Sequence, residues 1–105
     1  MAPERYAIEI LPSAGRQLER LPATARVAVS DAIDRLALEP RPQGARLLSG
    51  TGLERIWRIA VGSYRVIYEV LDRRLIIVVV RVADRREAYR QTDIARLLGR
   101  LRGPG

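Results

Sequence analysis

The spacing of apolar residues predicts the secondary structure of the first part of the chain. Residues 6–11 (YAIEIL) have the β-branched and aromatic character of a short strand. Ala14, Leu18 and Leu21 then recur at i, i+4 and i+7, which is the spacing of one helical face. Ser13 comes directly before this stripe and is predicted to cap the helix.

A second helix is predicted between Pro22 and Pro40. Proline is tolerated in the first turn of a helix, and the residue before a proline avoids helical backbone. The buried stripe of this helix consists of Ala25, Val29, Ile33 and Leu36. Residues 40–52 contain three glycines and two prolines, and this composition predicts a long irregular loop.

Three apolar segments with short connections predict an antiparallel meander, with strands at 53–61, 64–71 and 75–83. Gly62-Ser63 is a two-residue turn that closes a hairpin, and residues 72–74 form the next turn. Helical spacing over 92–101 predicts a last helix. The predicted order is β-α-α-β-β-β-α, an α+β fold in one domain (1–105), with helices packed on one face of a small sheet.

The short turn fixes the register of the first hairpin, and this register assigns each strand residue to a face. If Val61 pairs with Tyr64, then Arg58 pairs with Ile67, and residues two apart share a face. Arg58 and Arg65 are then diagonal neighbours on the face away from the helices. We expect them to be solvated on an open sheet face, although a phosphate between them would relieve their repulsion. The face expected to meet the helices carries Trp57, Ile59, Val61, Tyr64, Val66 and Tyr68, and the other carries Glu54, Ile56, Arg58, Ala60, Arg65, Ile67 and Glu69.

Composition narrows the classes of protein and of chemistry. A chain of 105 residues that is 48% hydrophobic forms one domain with one core. The longest apolar run, 75–80, is too short to span a membrane, and without a signal pattern we expect a cytoplasmic protein. Cysteine and histidine are absent, which excludes disulfides, thiol chemistry and histidine-based triads. Only carboxylates remain as metal ligands, so we predict no metal and no cofactor.

The charge is positive and uneven. All 19 basic residues are arginines and oppose 12 acids, for a net charge of +7. The first 50 residues hold seven arginines and six acids, and residues 51–105 hold twelve arginines and six acids. A guanidinium is a permanently charged fork that suits phosphate, so a polyanionic partner is predicted alongside the simpler interpretation of solubility.

The segment 82–90 (VADRREAYR) concentrates arginines around one phenol. Nearby positive charge favours the phenolate and lowers the pKa of a tyrosine below its usual value, so Tyr89 is a candidate proton acceptor. Asp84 and Glu87 are the alternative bases in a chain without histidine. The simpler interpretation is a helix start whose tyrosine covers the sheet edge.

Two runs resemble the RelE/ParE superfamily of toxin–antitoxin toxins: WRIAVGSYRVIYEV at 57–70 and VRVADRREAYR at 80–90. The segment YAIEILPSAGRQLERLP and the LLSG before the meander fit the same superfamily, so the resemblance covers 6–90. Its element order is also the one derived above. The pattern G-x-Y-R-x-x-Y followed by R-x-x-x-Y is fairly specific for the superfamily and less so for its branches.

For the RelE branch, the resemblance implies an mRNA interferase that cuts ribosome-bound mRNA in the A site without a metal. The ribose 2′-hydroxyl attacks the adjacent phosphate, and basic residues stabilise the phosphorane. By position, the resemblance implies catalytic roles for Arg58, Arg65, Arg85 and Tyr89. Contacts to the RNA are expected from Arg81, Arg86, Arg90 and Arg55. Arg55 ranks lowest, because the alternation of side chains along the strand places it on the face opposite to that of Arg58.

Two departures from the family pattern keep an alternative open. Ala60 stands where many members have a basic residue, and Asp84 stands where many have histidine. The runner-up is a ParE-like toxin that inhibits DNA gyrase by binding, without cleaving RNA. A third interpretation is a basic nucleic-acid-binding module without catalysis.

The resemblance also implies a cognate antitoxin. Charge complementarity predicts that its toxin-binding segment is acidic, amphipathic and partly disordered when free. The C-terminal stripe is expected to pack on the toxin's own sheet, and the alternative is that the antitoxin displaces it. This stripe consists of Ile94, Leu97, Leu98 and Leu101.

Overall fold

Two helices pack on one face of a five-stranded sheet in this α+β protein. The computed structural model describes residues 5–48 and 56–87. The strand order is β1-β5-β4-β3-β2, with β1 parallel to β5 and every other neighbouring pair antiparallel. The elements are β1 (Ala7–Ile10), α1 (Pro12–Glu19), α2 (Ala23–Arg35), β2 (Arg46–Leu47), β3 (Ile56–Val61), β4 (Tyr64–Leu71) and β5 (Ile76–Asp84). The predicted last helix, 92–101, lies outside the described residues.

Both helix starts depend on proline. Pro12 is in the first turn of α1, where its missing N–H costs no hydrogen bond, and Leu11 is the N-cap without a side-chain bond. The prediction that Ser13 caps this helix is therefore wrong, since Ser13 lies inside the first turn. Pro22 is the N-cap of α2.

The second helix ends at Arg35, well before Pro40. Leu36 donates its amide to the carbonyl of Ile33, and Ala37 donates to Asp34, so the helix tightens into i→i−3 bonds. The prediction that Pro40 ends the helix is wrong because this turn closes it first.

A short strand interrupts the predicted loop. Arg46 and Leu47 pair with Arg58 and Trp57, so β2 forms an edge of the sheet where an irregular connection over 40–52 was predicted. A two-residue strand is too short to show any apolar period, which is why the sequence pattern missed it.

The helix-facing core agrees with the predicted faces. Ile59, Val66 and Tyr68 of the sheet are buried against Val29 and Ile33 of α2. Trp57, Val61 and Tyr64 pack against the same cluster. The register Val61–Tyr64 and Arg58–Ile67 is also confirmed.

The opposite face is not the open, solvated face that we expected. Ile56, Ile67 and Val80 are fully buried in a second apolar cluster, together with Val78. A sheet that is covered on both faces has strands that read as continuous apolar runs, and IIVVV in β5 is such a run. Among the described residues, no helix has the length and apolarity needed to cross a membrane.

Tyr68 ties the sheet to the chain after α2. Its ring is fully buried, and its hydroxyl donates a hydrogen bond to the carbonyl of Pro40 at 2.7 Å. Close by, Asp72 accepts hydrogen bonds from the Tyr6 hydroxyl at 2.7 Å and from the Arg41 guanidinium at 2.6 Å. Both hydrogen bonds lower the pKa of the Asp72 carboxyl, and the bond from Arg41 has the larger effect.

The buried phenol predicts a loss of stability in alkali. Burial raises the pKa of Tyr68 to about 12, compared with about 10 in an unfolded chain. Below pH ~10 both states keep the proton, so the stabilisation is fully present. As the pH rises from ~10 to ~12, only the unfolded chain ionises. The free energy of unfolding should then fall by up to about 2–3 kcal/mol.

Urea unfolding at about pH 9 and about pH 11.5 tests this prediction. Tyr68→Phe should lose less stability between these two values than the wild type does. Equal losses in both proteins would contradict the assignment.

Candidate nucleic-acid interface

One register row brings together arginines that are far apart in the sequence. Ile67 of β4 pairs with Arg58 of β3 on one side and with Arg81 of β5 on the other. Paired residues share a face, and neighbouring strands are about 4.8 Å apart. The two arginines therefore flank one buried isoleucine on the face away from the helices. We call this surface, with its residues Arg46, Arg58, Arg65 and Arg81, the arginine face.

A β-bulge gives Arg81 its orientation. From Leu71–Ile76 to Tyr68–Val79 the register of β4 and β5 is regular, and it shifts by one residue between Ile67 and Tyr68. Without this shift, Arg81 would pair with Val66 and point into the helix-facing core. Bulges often re-aim side chains near functional sites.

A side chain of α1 satisfies the backbone beside the bulge. The Gln17 side-chain oxygen accepts a hydrogen bond from the Val82 amide at 2.8 Å. The helix layer thus supports the strand geometry on which the position of Arg81 depends.

Arg65 lies two register rows closer to the hairpin turn, on the same face. It pairs with Ala60 on β3 and with Ala83 on β5, so small side chains flank it on both sides. Its Nη1 donates to the carbonyls of Gly62 and Tyr64, both at 3.0 Å. These bonds hold the guanidinium at the hairpin end of the arginine face. Gly62 has a positive φ of 60°, which suits the tight turn.

The exposure of these arginines differs from our expectation. Arg58, Arg65 and Arg81 are half-buried and not solvated residues of an open face. Half-burial restrains a guanidinium and reduces competition from water, so its bonds to an anion gain strength.

Arg85 and Arg86 follow the end of β5. The Arg85 amide donates to the Ser63 carbonyl at 2.9 Å, which anchors Arg85 beside the hairpin turn with its side chain exposed. The Asp84 carboxylate accepts a hydrogen bond from the Arg86 amide at 2.9 Å and lies 3.7 Å from the Arg86 Nε. Asp84 therefore caps a turn, and this role competes with that of a general base.

Two further residues of this face were missed as functional candidates. Arg46 pairs directly with Arg58, and no sequence signal marked its strand. Glu69 was assigned to the correct face, but its burial was not foreseen, since it is only 4% exposed. Acids are almost never fully buried unless they are paired, and Glu69 is two residues from the Arg58–Ile67–Arg81 row.

The chemistry available on this face is electrostatic. The described strands place four arginines on this face and only two acids, Glu69 and Glu9, so its charge is positive. Within residues 5–48 and 56–87, no cluster of three or more acids could hold a metal ion. Tyr89, Arg90 and Arg55 lie outside the described residues, so their predicted roles stay predictions.

A comparison with protein-family models identifies the family. Residues 8–89 match the model of the ParE toxin of type II toxin–antitoxin systems. The chain belongs to this family. It is a toxin of a type II toxin–antitoxin system, and the resemblance to the RelE/ParE superfamily is confirmed.

Solved structures with the same fold include toxin–antitoxin complexes. A chain of the RelE–RelB complex from Pyrococcus horikoshii OT3 is 29% identical, with a TM-score of 0.69, and the match covers 80% of this toxin and 99% of that chain. A chain of the RelBE2 complex from Mycobacterium tuberculosis is 26% identical, with a TM-score of 0.67 and coverages of 76% and 91%.

A free mutant of the Escherichia coli toxin RelE has a TM-score of 0.71 at 22% identity, and the match covers 88% of this toxin and 97% of that chain. At that identity the similarity concerns the fold alone. No curated protein sequence matches this toxin.

Proposed function

We propose that this toxin is an mRNA interferase of the RelE type, an endoribonuclease that cleaves messenger RNA in the ribosomal A site. The observation that carries the proposal is the register row in which Arg58 and Arg81 flank Ile67, with Arg65 two rows away on the same face. Three half-buried guanidiniums on one sheet face form a phosphate site of the kind that phosphoryl transfer requires.

The reaction needs no group beyond those of the protein, the RNA and water. The ribose 2′-oxygen attacks the adjacent phosphorus and loses its proton to a base, so that a new O2′–P bond forms. The P–O5′ bond breaks, and the leaving 5′-oxygen takes a proton from water. The products are a 2′,3′-cyclic phosphate and a 5′-hydroxyl. Arg58, Arg65 and Arg81 donate hydrogen bonds to the phosphorane oxygens as negative charge develops on them.

The proposed base is Tyr89, whose pKa the neighbouring arginines would lower. Asp84 is the weaker alternative, because its carboxylate already accepts the Arg86 amide. Glu87 is exposed at the end of the described segment and remains the other alternative. Arg85 is proposed to stabilise the phosphorane from beside the hairpin turn, and Arg86, Arg90 and Arg55 are proposed to contact the RNA backbone.

The proposed partners follow from this activity. A toxin that acts on translating ribosomes works in the cytoplasm, on mRNA and the ribosome, without a cofactor. The similar RelE–RelB and RelBE2 structures are complexes with antitoxins, which supports a cognate antitoxin for this toxin. Its binding segment should be acidic, because the toxin carries a net charge of +7. We propose a single domain over 1–105.

Primer extension on a reporter mRNA in a coupled translation reaction tests the proposal. The wild type should produce discrete cuts within codons that require ribosomes. Arg65→Ala and Tyr89→Phe should remove them. Intact mRNA in the presence of wild-type toxin would contradict the proposal.

The second candidate is inhibition of DNA gyrase by binding, without RNA cleavage. The observation that favours it is the match to the ParE family model over residues 8–89. A supercoiling assay with purified gyrase distinguishes the two functions. Inhibition of supercoiling together with intact mRNA would establish the second.

A further inference from the structure

Arg46 extends the arginine face to the β2 edge of the sheet. It lies directly opposite Arg58 in the β2–β3 ladder. Like charges at directly opposed positions of two strands repel each other. Arg46 is exposed, and Arg58 is half-buried. A bound phosphate between the two guanidiniums would accept hydrogen bonds from both.

The strand alternation orients Arg46 toward the arginine face. Its neighbour Leu47 pairs with Trp57, which packs against the helix-facing core. Successive strand residues point to opposite faces, so Arg46 points to the side that carries Arg58 and Arg81. Its exposure at a sheet edge leaves it accessible to a long polymer.

The row of arginines is long enough to contact more than one phosphate group. From β2 to β5 it crosses three interstrand steps, or about 14 Å of backbone at about 4.8 Å per step. Arg46 is at one end, Arg58 lies one strand further in and Arg81 is at the other end. Such a track can contact consecutive phosphates of one strand, which is how basic grooves hold single-stranded nucleic acid.

We propose that Arg46 is a further RNA-binding residue, which holds a phosphate adjacent to the scissile one on a single-stranded RNA that crosses the sheet toward the β2 edge. This inference rests on the proposed function and names the path of its substrate. Arg46 acts in binding and not in the chemical step. Its replacement should therefore weaken RNA binding and raise KM while kcat is unchanged.

The test measures binding separately from cleavage. The probe is a fluorescein-labelled oligonucleotide of 2′-O-methyl uridines, which cannot be cut, and its anisotropy is followed at several salt concentrations. Arg46→Ala should bind about tenfold more weakly at low salt. The slope of log K against log salt should shrink by about 0.7, the value for one phosphate contact on a single strand.

The matched control is Arg26→Ala, which removes the same charge from an exposed position on α2, away from the arginine face. Its affinity and salt slope should stay close to those of the wild type. The melting temperature of Arg46→Ala should stay close to that of the wild type, because Arg46 is exposed. This result would separate a binding role from a structural one.

The outcomes distinguish the two proposals. If Arg46→Ala binds like the wild type while Arg58→Ala binds more weakly, the role of Arg46 is refuted and the proposed function stands. If the wild type binds the probe through Arg46 but does not cut ribosome-bound mRNA, the binding track stands and the proposed function fails. A wild type that does not bind the probe overturns the role of Arg46.

Discussion

Arg58→Ala is expected to slow mRNA cleavage by about 10²–10³-fold, the usual cost of losing one donor to a developing oxyanion. Arg58 is half-buried on β3, opposite Ile67 and directly beside Arg46. Arg58 is therefore carried by a paired strand and not by a loop. A donor that is already oriented needs little reorganisation when negative charge develops on the phosphorane.

The rate is best measured in single turnover on ribosomes that carry a defined codon in the A site. Arg58→Lys keeps the charge but loses the two-pronged donor geometry, so its rate should fall between those of the wild type and Arg58→Ala. Arg26→Ala should cleave at the wild-type rate. A wild-type rate for Arg58→Ala would show that the arginine face is not where the reaction occurs.

Tyr68→Ala is expected to lower the free energy of unfolding by about 3–5 kcal/mol, as is typical when a buried aromatic side chain is truncated. Tyr68 is fully buried in the cluster that joins β4 to α2. The substitution leaves a cavity and also deprives the Pro40 carbonyl of its 2.7 Å hydrogen bond. Such a loss is a large part of the stability of a domain of this size.

Urea unfolding followed by circular dichroism measures this loss. Tyr68→Phe keeps the ring and removes only the hydroxyl, so it should cost about 1–2 kcal/mol. The difference between the two variants isolates the contribution of packing. If both variants lost the same amount, the hydrogen bond and not the ring would be the main source of stability at this position.

The hairpin was predictable because its register depends on one local feature. Gly62-Ser63 leaves a single pairing of Val61 with Tyr64, and alternation then assigns each side chain to a face. The relation between Arg58 and Arg65 followed from this, and the structure has the same relation. Local turn chemistry was therefore enough to locate part of the candidate site.

The face on which Arg81 lies was not predictable by extending the register from a turn in the same way. The turn after β4 would pair Val66 with Arg81 if the ladder were regular, which would put a guanidinium in the helix-facing core. The bulge near Val80 corrects this, and the side chain of Gln17, which is far away in the sequence, bonds the backbone beside it at Val82. The sequence motif identified Arg81 as a candidate, but only the folded sheet brings it level with Arg58.

Burial of the second face and the existence of β2 depend on tertiary contacts. The alternation in β3 suggested an open face, whereas Ile56 and Ile67 are fully buried. Arg46 belongs to a strand of two residues that pairing with β3 defines, so no local pattern could reveal it.

The proposed reaction on the arginine face is cleavage of mRNA by attack of a ribose 2′-hydroxyl. The most direct test uses ribosomes programmed with two mRNAs that differ only in a 2′-deoxy substitution at the nucleotide preceding the cut. The toxin should cut the unmodified mRNA to leave a 2′,3′-cyclic phosphate, and the substituted mRNA should stay intact. If both mRNAs stay intact while the same preparation inhibits supercoiling by gyrase, the account is contradicted.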